Sequence, residues 1–353
     1  MPRYLVLLAP SSNRVYAGDA PRLVGAELAL LAEGCFPGVI TDVEPVSLAG
    51  VPYVQFAAES IGQRELDLLS NVSARFGVFE RLDGDTLRPV EVAPIAHFDD
   101  DLLSIPKYQG KTNEQLTKLL LNVTLAATTW AEELGTRRFS LLDPLAGRCT
   151  TLDQALTYGF DAAGIEIEER EVDAYATFFS TYLKRKRLKH TFGYAPVRRE
   201  GKKAGKRLDA EVNTDAAAFK AGDRQTLTVH VGDTLQAADL FGKRRFDVIV
   251  TDAPYGVVHG SRAGGASAGS GGGGSRERNA SDLLRQAVPA WAKLLRPGGA
   301  MGIAWNTLGL ERDRLADVLT RAGLRVAESS ADSAFEHRVD SSIVRDVIVA
   351  RKG

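Results

Sequence analysis

The sequence predicts an α/β protein in which a doubly wound, mostly parallel sheet of seven strands follows a small α+β domain. Two observations lead to this fold class. From residue 112 onward, β-prone apolar runs alternate with segments of helical period, as in a parallel sheet with crossover helices. Before that point, two strand-like runs follow each other directly, which a purely alternating unit does not show. The 353 residues are enough for two such domains.

Composition excludes several other classes of protein. Hydrophobic residues make up 44% of the chain and charged residues 25%, as in ordinary globular domains. No apolar run is long enough to span a membrane and no secretory signal is found, so we expect no membrane partner. The two cysteines, Cys35 and Cys149, favour a reducing, cytoplasmic setting. No feature of the sequence predicts an oligomeric state.

The N-terminal region shows the order βαββαβ. Strand-like runs lie at 3–8, 38–46, 51–56 and 76–82, and helical spacing lies at 21–32 and 62–70. This order is typical of a ferredoxin-like sandwich. We therefore predict a small α+β domain over residues 1–98, interpreted as an RNA-binding accessory, followed by a linker at 99–111.

The second domain is predicted over residues 112–353. Its strands are expected at 139–145, 163–167, 227–231, 246–251, 300–305, 324–328 and 343–350. Its helices are expected at 112–134, 151–158, 169–189, 234–241, 280–295 and 311–322, the first with Thr112 and Gln115 as a capping box. Because no helix separates the last two strands, the final strand is predicted to run antiparallel at or near the edge. Glycines predict a flexible loop at 256–279.

A basic insertion is predicted at 184–210. Between Lys184 and Arg207 there are eleven Lys and Arg residues against a single acid, Glu200, in a chain of net charge −1. Such a cluster favours contact with nucleic acid, and a solvated helix end is the alternative. The candidate nucleic-acid-binding residues are Lys184, Arg185, Lys186, Arg187, Lys189, Arg198, Arg199, Lys202 and Lys203.

Ligands of a doubly wound sheet bind at the carboxyl ends of its strands, and four of these ends carry an acid. Asp143 and Pro144 lead into a turn in which Gly147 permits close approach of a ligand, although the turn lacks the glycine fingerprint of dinucleotide-binding proteins. Glu166 ends the next strand, where an acid binds ribose hydroxyls; a solvated acid is the alternative. Asp233 follows the third strand, either as an acceptor for an adenine amino group or as a helix N-cap.

A fourth strand end is the most specific. Asp252, Ala253, Pro254 and Tyr255 directly follow the strand predicted at 246–251. Tyr255 can stack on a flat heterocycle, while the Asp252 carboxylate and the Ala253 carbonyl accept hydrogen bonds from an exocyclic amine. An ordinary turn is the alternative interpretation. The five histidines and two cysteines have no ligand spacing, so no metal site is predicted.

In this order the motifs resemble those of class I S-adenosylmethionine-dependent methyltransferases acting on exocyclic amino groups, which have a Rossmann-like sheet. Within that superfamily the chain is most similar to the tRNA guanosine-10 N2-methyltransferase family, over about 107–352. The resemblance implies S-adenosylmethionine as the cofactor. The implied cofactor-binding residues are Asp143, Pro144 and Gly147 for the methionine half, Glu166 for the ribose, Asp233 for the adenine, and in addition Thr150, Lys107 and Gly110, the last two in a cofactor-side element before the first motif.

The resemblance also assigns Asp252, Ala253, Pro254 and Tyr255 to the target base, as the catalytic residues. Ala253 stands where the family has a first proline, and Cys149 stands where it usually has glycine. The N-terminal region is shorter than the RNA-binding THUMP module of the family.

The predicted reaction is therefore methyl transfer from S-adenosylmethionine to an exocyclic amino group, with guanosine N2 in tRNA favoured. One alternative is a DNA methyltransferase acting on adenine N6 or cytosine N4, which a large, separate target-recognition domain would favour. Another is a non-catalytic RNA-binding protein that keeps the fold. A nicotinamide-dependent enzyme is disfavoured by the missing glycine fingerprint.

Overall fold

The computed structural model describes residues 1–11, 14–106, 111–199, 202–254, 274–327 and 334–353, without the side chains of 14–15, 198–199, 202–204 and 274–279. Two sheets organise this part of the chain, one of five strands and one of ten. No helix within it has the length and apolarity needed to cross a membrane. Both cysteines are buried and form no disulfide.

The N-terminal sheet is antiparallel, with the strand order β2-β3-β1-β4-β5. Its elements follow the predicted order and add a fifth strand within a polar stretch. They are β1 (Arg3–Leu8), α1 (Arg14–Cys35), β2 (Thr41–Leu48), β3 (Val51–Ala57), α2 (Gln63–Leu69), β4 (Arg75–Arg81) and β5 (Leu87–Val90).

The large sheet is built from the remainder of the chain. Its strands are β6 (Ser140–Asp143), β7 (Asp161–Glu166), β8 (Lys189–Arg199), β9 (Lys202–Asn213), β10 (Gln225–Val231), β11 (Phe246–Asp252), β12 (Leu295–Asn306), β13 (Leu324–Val326), β14 (His337–Arg338) and β15 (Val344–Lys352). Its helices are α3 (Asp101–Ser104), α4 (Glu114–Ala126), α5 (Thr150–Thr157), α6 (Glu169–Arg185), α7 (Ala216–Lys220), α8 (Ala237–Phe241), α9 (Gly274–Ala292) and α10 (Arg312–Arg321).

The strand order of the large sheet is β13-β15-β12-β11-β6-β7-β10-β9-β8, with β14 beside β15. The five strands from β12 to β10 are parallel, and β15 runs antiparallel between β12 and β13. The chain therefore winds in one direction from β6 to β10 and in the other from β11 to β12. This is a doubly wound, Rossmann-like α/β sheet, and its switch point lies between β6 and β11.

The predicted count of seven strands was wrong, because the sheet has ten. The seven predicted runs form β6, β7, β10, β11, β12, β13 and β15. Two further strands form a hairpin from the basic segment, and β14 is a two-residue strand. In β9, buried Leu208, Ala210 and Val212 alternate with polar residues. The many Lys and Arg residues of this segment favoured contact with nucleic acid or a solvated helix end, so this period of two was overlooked.

The first helix of the second domain is shorter than predicted and has a different cap. Helix α4 begins at Glu114 and ends at Ala126. Its N-cap is Asn113, whose side-chain oxygen accepts a hydrogen bond from the Gln115 backbone N–H at 2.9 Å. The prediction of Thr112 as the cap was therefore wrong, and its hydroxyl is directed to another partner.

The two domains share one buried core, in which α1 packs against α4. The carboxylate of Glu27 is completely buried there. It accepts hydrogen bonds from the Ser73 backbone N–H at 3.0 Å and the Asn122 amide at 2.6 Å, and the Tyr158 hydroxyl donates to Asn122 Oδ1. Burial raises the pKa of Glu27 to about 7, although these hydrogen bonds act in the opposite direction. The network fixes α4 against the N-terminal domain.

Candidate functional site

The carboxyl ends of β6, β7, β10 and β11 meet at one edge of the large sheet. The Gly147 backbone N–H, in the turn after β6, donates to Glu166 Oε2 at 2.8 Å. The Gly232 N–H, after β10, donates to the Glu166 carbonyl oxygen at 2.9 Å. Three of the strand ends predicted to hold a cofactor are thereby joined directly.

Asp143 is buried, with 3% of its surface exposed, and it stabilises the turn that follows β6. Its Oδ1 accepts hydrogen bonds from the Leu145 backbone N–H at 3.0 Å and the Thr251 hydroxyl at 2.9 Å. Burial raises the pKa of Asp143 to about 6, while the hydrogen bonds that it accepts, including one from Thr151, lower it. The side chain thus connects β6 to β11, and direct contact with a ligand stays a prediction.

The turn between β6 and α5 has two residues in the left-handed region of backbone conformation. Gly147 has a φ of 51°, and a β-carbon built on it would meet no atom within 4 Å. Open space therefore lies over this glycine, as close approach of a ligand requires. Cys149 has a φ of 66° and is fully buried. Glycine tolerates that conformation best, which explains why a cysteine here is unusual. Thr150 begins α5.

Glu166 ends β7 with its carboxylate facing the β6 turn. Besides the Gly147 N–H, it accepts a hydrogen bond from the Glu168 backbone N–H at 2.8 Å. Burial raises the pKa of Glu166, with a smaller contribution of the same sign from Glu168 and Glu171. A carboxylate offers about four lone-pair sites, so two backbone donors leave capacity for the hydroxyls of a ribose.

Asp233 is an N-cap, which is one of the two roles predicted for it from the sequence. Its Oδ1 accepts a hydrogen bond from the Leu235 backbone N–H at 2.9 Å, at the start of the 3₁₀ turn Thr234–Gln236. The capping interpretation is confirmed. Contact with an adenine stays a prediction.

Asp252 is held by residues that are distant in the sequence. The Thr112 hydroxyl donates to Asp252 Oδ2 at 2.7 Å, and Arg345 Nη2 lies 4.0 Å from the same oxygen. Only 9% of the Arg345 side chain and 15% of the Asp252 side chain are exposed. The Ala253 N–H donates to the Ala304 carbonyl oxygen at 2.8 Å, which fixes the start of the turn after β11.

Thr112 and Arg345, which contact Asp252, line a cleft of about 480 Å³. Pro10 and Ser11 from the N-terminal domain line the same cleft. The Asn113 amide approaches Ser11 Oγ at 3.4 Å, so the two domains meet at the cleft. The N-terminal domain thereby forms part of the wall of this cleft, which the motifs did not predict.

Sequence reasoning missed both partners of Asp252. Thr112 was interpreted as a helix cap, which left no reason to look for a further contact. Arg345 gave a signal that was overlooked, because it and Asp346 are charged residues directly before the apolar run of β15. Charged residues are rarely buried unless they are paired.

Several predicted site residues lie outside the described part of the chain. They are Lys107, Gly110, Tyr255, residues 256–273 of the predicted loop, and the side chains of Arg198, Arg199, Lys202 and Lys203. The predicted end of that loop at 279 was wrong, because α9 begins at Gly274. The roles assigned to them stay predictions.

The described cations of the basic insertion fall into two groups. Lys184, Arg185, Arg187 and Lys189 are exposed at the end of α6 and the start of β8, and among the described residues they form no ion pair. Lys186 differs, because its amine lies 2.7 Å from Asp99 Oδ2 and 2.6 Å from Asp101 Oδ2. Lys206 is likewise paired, with Glu169 and Asp173. The first group is free to meet an external anion.

Taken together, the fold and the strand ends define a doubly wound α/β protein with a candidate site at the switch point of its sheet. One side of that site is the β6 turn with Glu166. The other is Asp252 beside the cleft.

No family model matches the chain, and no curated protein matches it. Among solved structures, TrmN from Thermus thermophilus is 12% identical with a TM-score of 0.45, and the match covers 99% of this chain and 100% of that one. A TehB-like SAM-dependent methyltransferase from Corynebacterium glutamicum is 16% identical with a TM-score of 0.32, over 62% of this chain and 82% of that one. A protein of Pyrococcus horikoshii, described provisionally as an RNA methyltransferase, is 12% identical with a TM-score of 0.36, over 83% and 97%. All three TM-scores lie below 0.5, so the fold class rests on the strand order.

Proposed function

We propose that the protein transfers a methyl group from S-adenosylmethionine to an exocyclic amino group of a nucleic-acid base, with guanosine N2 in tRNA as the favoured target. The observation that carries this proposal is the position of Asp252 beside the β6 turn. Thr251, the preceding residue, donates to Asp143 Oδ1 at 2.9 Å, and β6 and β11 are neighbouring strands. An acceptor for an amine and the candidate cofactor turn are thus adjacent, and two reactants bound there are held close together.

The residues of the β6 turn and β7 fit S-adenosylmethionine. The open space over Gly147 permits close approach to the backbone, and the Glu166 carboxylate can accept hydrogen bonds from a ribose diol. When bound, this cofactor supplies a methyl group on a positively charged sulfur. Asp143 stabilises the turn through the hydrogen bonds that it accepts from the Leu145 backbone N–H and the Thr251 hydroxyl.

Asp252 and Ala253 act on the amine in this proposal. An exocyclic amine is a weak nucleophile, because its lone pair is delocalised into the ring. Hydrogen bonds to the Asp252 carboxylate and the Ala253 carbonyl favour a pyramidal nitrogen whose lone pair is available for attack. Once the amine is methylated, the Asp252 carboxylate would accept the proton that the nitrogen gives up. Pro254 and Tyr255 complete the base pocket as its stiff turn and stacking surface.

The nucleic acid itself contacts two surfaces. The exposed cations Lys184, Arg185, Arg187 and Lys189 bind phosphates, and release of counterions supplies much of the binding free energy. The N-terminal domain contributes at the cleft, where Pro10 and Ser11 lie beside Thr112. A base within a helix must be flipped out to reach Asp252, at a cost of roughly a few kcal/mol.

The test is transfer of labelled methyl from S-adenosylmethionine to tRNA and to genomic DNA in parallel, followed by mass spectrometry of the digested nucleosides. N2-methylguanosine from tRNA is the expected product. N6-methyladenine or N4-methylcytosine from DNA would replace the tRNA proposal with the DNA alternative. Absence of label in both pools, together with no binding of millimolar S-adenosylmethionine by calorimetry, would overturn methyl transfer altogether.

A further inference from the structure

We propose that Thr112 and Arg345 are positioning residues that hold the Asp252 carboxylate for the target amine. This inference rests on the proposed function and goes beyond it, because neither residue is among those assigned to the cofactor or to the target base. Thr112 lies just before α4, in the segment assigned by resemblance to the cofactor side. The structure directs its hydroxyl to Asp252 instead.

The contacts converge on one atom. The Thr112 hydroxyl donates to Asp252 Oδ2 at 2.7 Å, and Arg345 Nη2 lies 4.0 Å from the same oxygen. A carboxylate at a strand end can otherwise rotate about its χ2 bond, for which the energy wells are broad. A donor and a cation on one oxygen select one rotation. With about four lone-pair sites, the carboxylate keeps the capacity to accept from an amine.

Burial makes these contacts strong enough to orient the carboxylate. Arg345 has 7% of its surface exposed, so solvent screens its attraction to Asp252 much less than it screens a surface ion pair. Its strand, β15, is fixed along its length by seven paired residues of β12. Thr112 is fixed by the capped start of α4 at Asn113. Both groups therefore reach Asp252 from rigid elements.

The first test is steady-state methyl transfer with the nucleic acid varied and the cofactor saturating. Thr112→Val removes the donor without changing side-chain shape, and it is expected to lower kcat roughly 10- to 100-fold while the Kd for S-adenosylmethionine stays unchanged. Thr112→Ser keeps the hydroxyl and is expected to restore kcat. Arg345→Lys is expected to retain more kcat than Arg345→Met. Thr177→Val is the matched control, because it removes an exposed α6 hydroxyl that bonds the Asp173 carbonyl, far from Asp252 in the sequence.

The second test needs no activity. Urea unfolding of Thr112→Val, Asp252→Ala and the double variant measures whether the two side chains interact, and a nonzero coupling is expected. Zero coupling, or loss of kcat in Thr112→Val without rescue by Thr112→Ser, would overturn the proposal. Wild-type protein that methylates no nucleic acid would overturn the proposed function, and the coupling would then still decide whether Thr112 holds the Asp252 carboxylate.

Discussion

The two sides of the candidate site are built in different ways. On the β6–β7 side, Glu166 accepts hydrogen bonds from the N–H groups of Glu168, in its own turn, and of Gly147, in the adjoining turn. On the β11 side, Asp252 is contacted by Thr112 and Arg345, which belong to elements far from it in the sequence. One side is assembled by local turns and the other by the packing of the whole domain.

The two sides of the site therefore depend on different parts of the molecule. The turns on the first side are held by hydrogen bonds from their backbone N–H groups to nearby carboxylates, so they tolerate substitution elsewhere in the molecule. A carboxylate held by distant side chains depends on α4 and β15 staying in place, and α4 is in turn fixed by the buried network around Glu27. Substitutions on the first side are therefore expected to change cofactor affinity, and those on the second side to change turnover.

The largest effect is expected from Asp252→Asn. Loss of the charged acceptor is expected to lower kcat about 100- to 1,000-fold, the range seen when one preorganised polar group is removed from an active site. Calorimetric binding of S-adenosylmethionine should be unchanged, because the cofactor turn is held by other contacts. Asp313→Asn, an exposed carboxylate on α10, is the control. Retained turnover in Asp252→Asn would remove this residue from the mechanism.

The Glu27 network predicts a pH dependence of stability. Its pKa is raised from 4.5 to about 7 in the folded protein, so the folded state binds the proton more tightly. The contribution to stability is fully present below pH 4.5 and is lost as the pH rises through about 7. Between these limits the loss is at most roughly 3 kcal/mol.

Glu27→Gln removes this titration and tests the network. Urea unfolding at pH 5 and pH 8 is expected to show a smaller fall in the free energy of unfolding for Glu27→Gln than for wild type. Glu33→Gln, an exposed change on the same helix, should behave as wild type. Equal pH dependence in all three proteins would show that Glu27 does not titrate at the interface.

On the local side, Glu166→Gln is expected to weaken S-adenosylmethionine binding about 10- to 100-fold, since it removes a charged acceptor of hydrogen bonds. Turnover at saturating cofactor should change little. Glu168→Gln is the control, because it changes the neighbouring acid and keeps the backbone N–H that donates to Glu166. A larger effect on kcat than on cofactor Kd would contradict the division of roles between the two sides.

The basic insertion is a third region, and it is expected to act on the nucleic acid alone. Replacement of Lys184, Arg185, Arg187 and Lys189 by alanine is expected to reduce the slope of log affinity against log salt by about 3, at 0.7–0.9 for each phosphate contact. Lys186→Ala should change this slope least, because that amine is paired with Asp99 and Asp101. An unchanged slope in the quadruple variant would support the solvated helix end.

The same contrast explains how much was predictable from sequence. Seven strands of the large sheet were predicted because each contains a run of consecutive apolar residues, which is visible in the local sequence. The β8–β9 hairpin was missed because the Lys and Arg residues of this segment favoured a different interpretation. At the site, Gly147 and Glu166 were found because they belong to recurrent turns at strand ends, and the structure joins them. Thr112 and Arg345 were missed because no local pattern encodes a contact made across the fold.

The smallest effect concerns Cys149, which lies in the local turn with a φ of 66°. Both Cys149→Ala and Cys149→Gly lose the buried sulfur, but only alanine keeps a β-carbon in the left-handed region. We therefore expect Cys149→Gly to be more stable than Cys149→Ala by up to about 1 kcal/mol in urea unfolding. In the regular helix α6, Ala174→Gly should show the opposite preference, since glycine costs about 0.5–1 kcal/mol there. If alanine is the more stable residue at both positions, the turn is not strained, and the cysteine is as compatible with a cofactor as glycine would be.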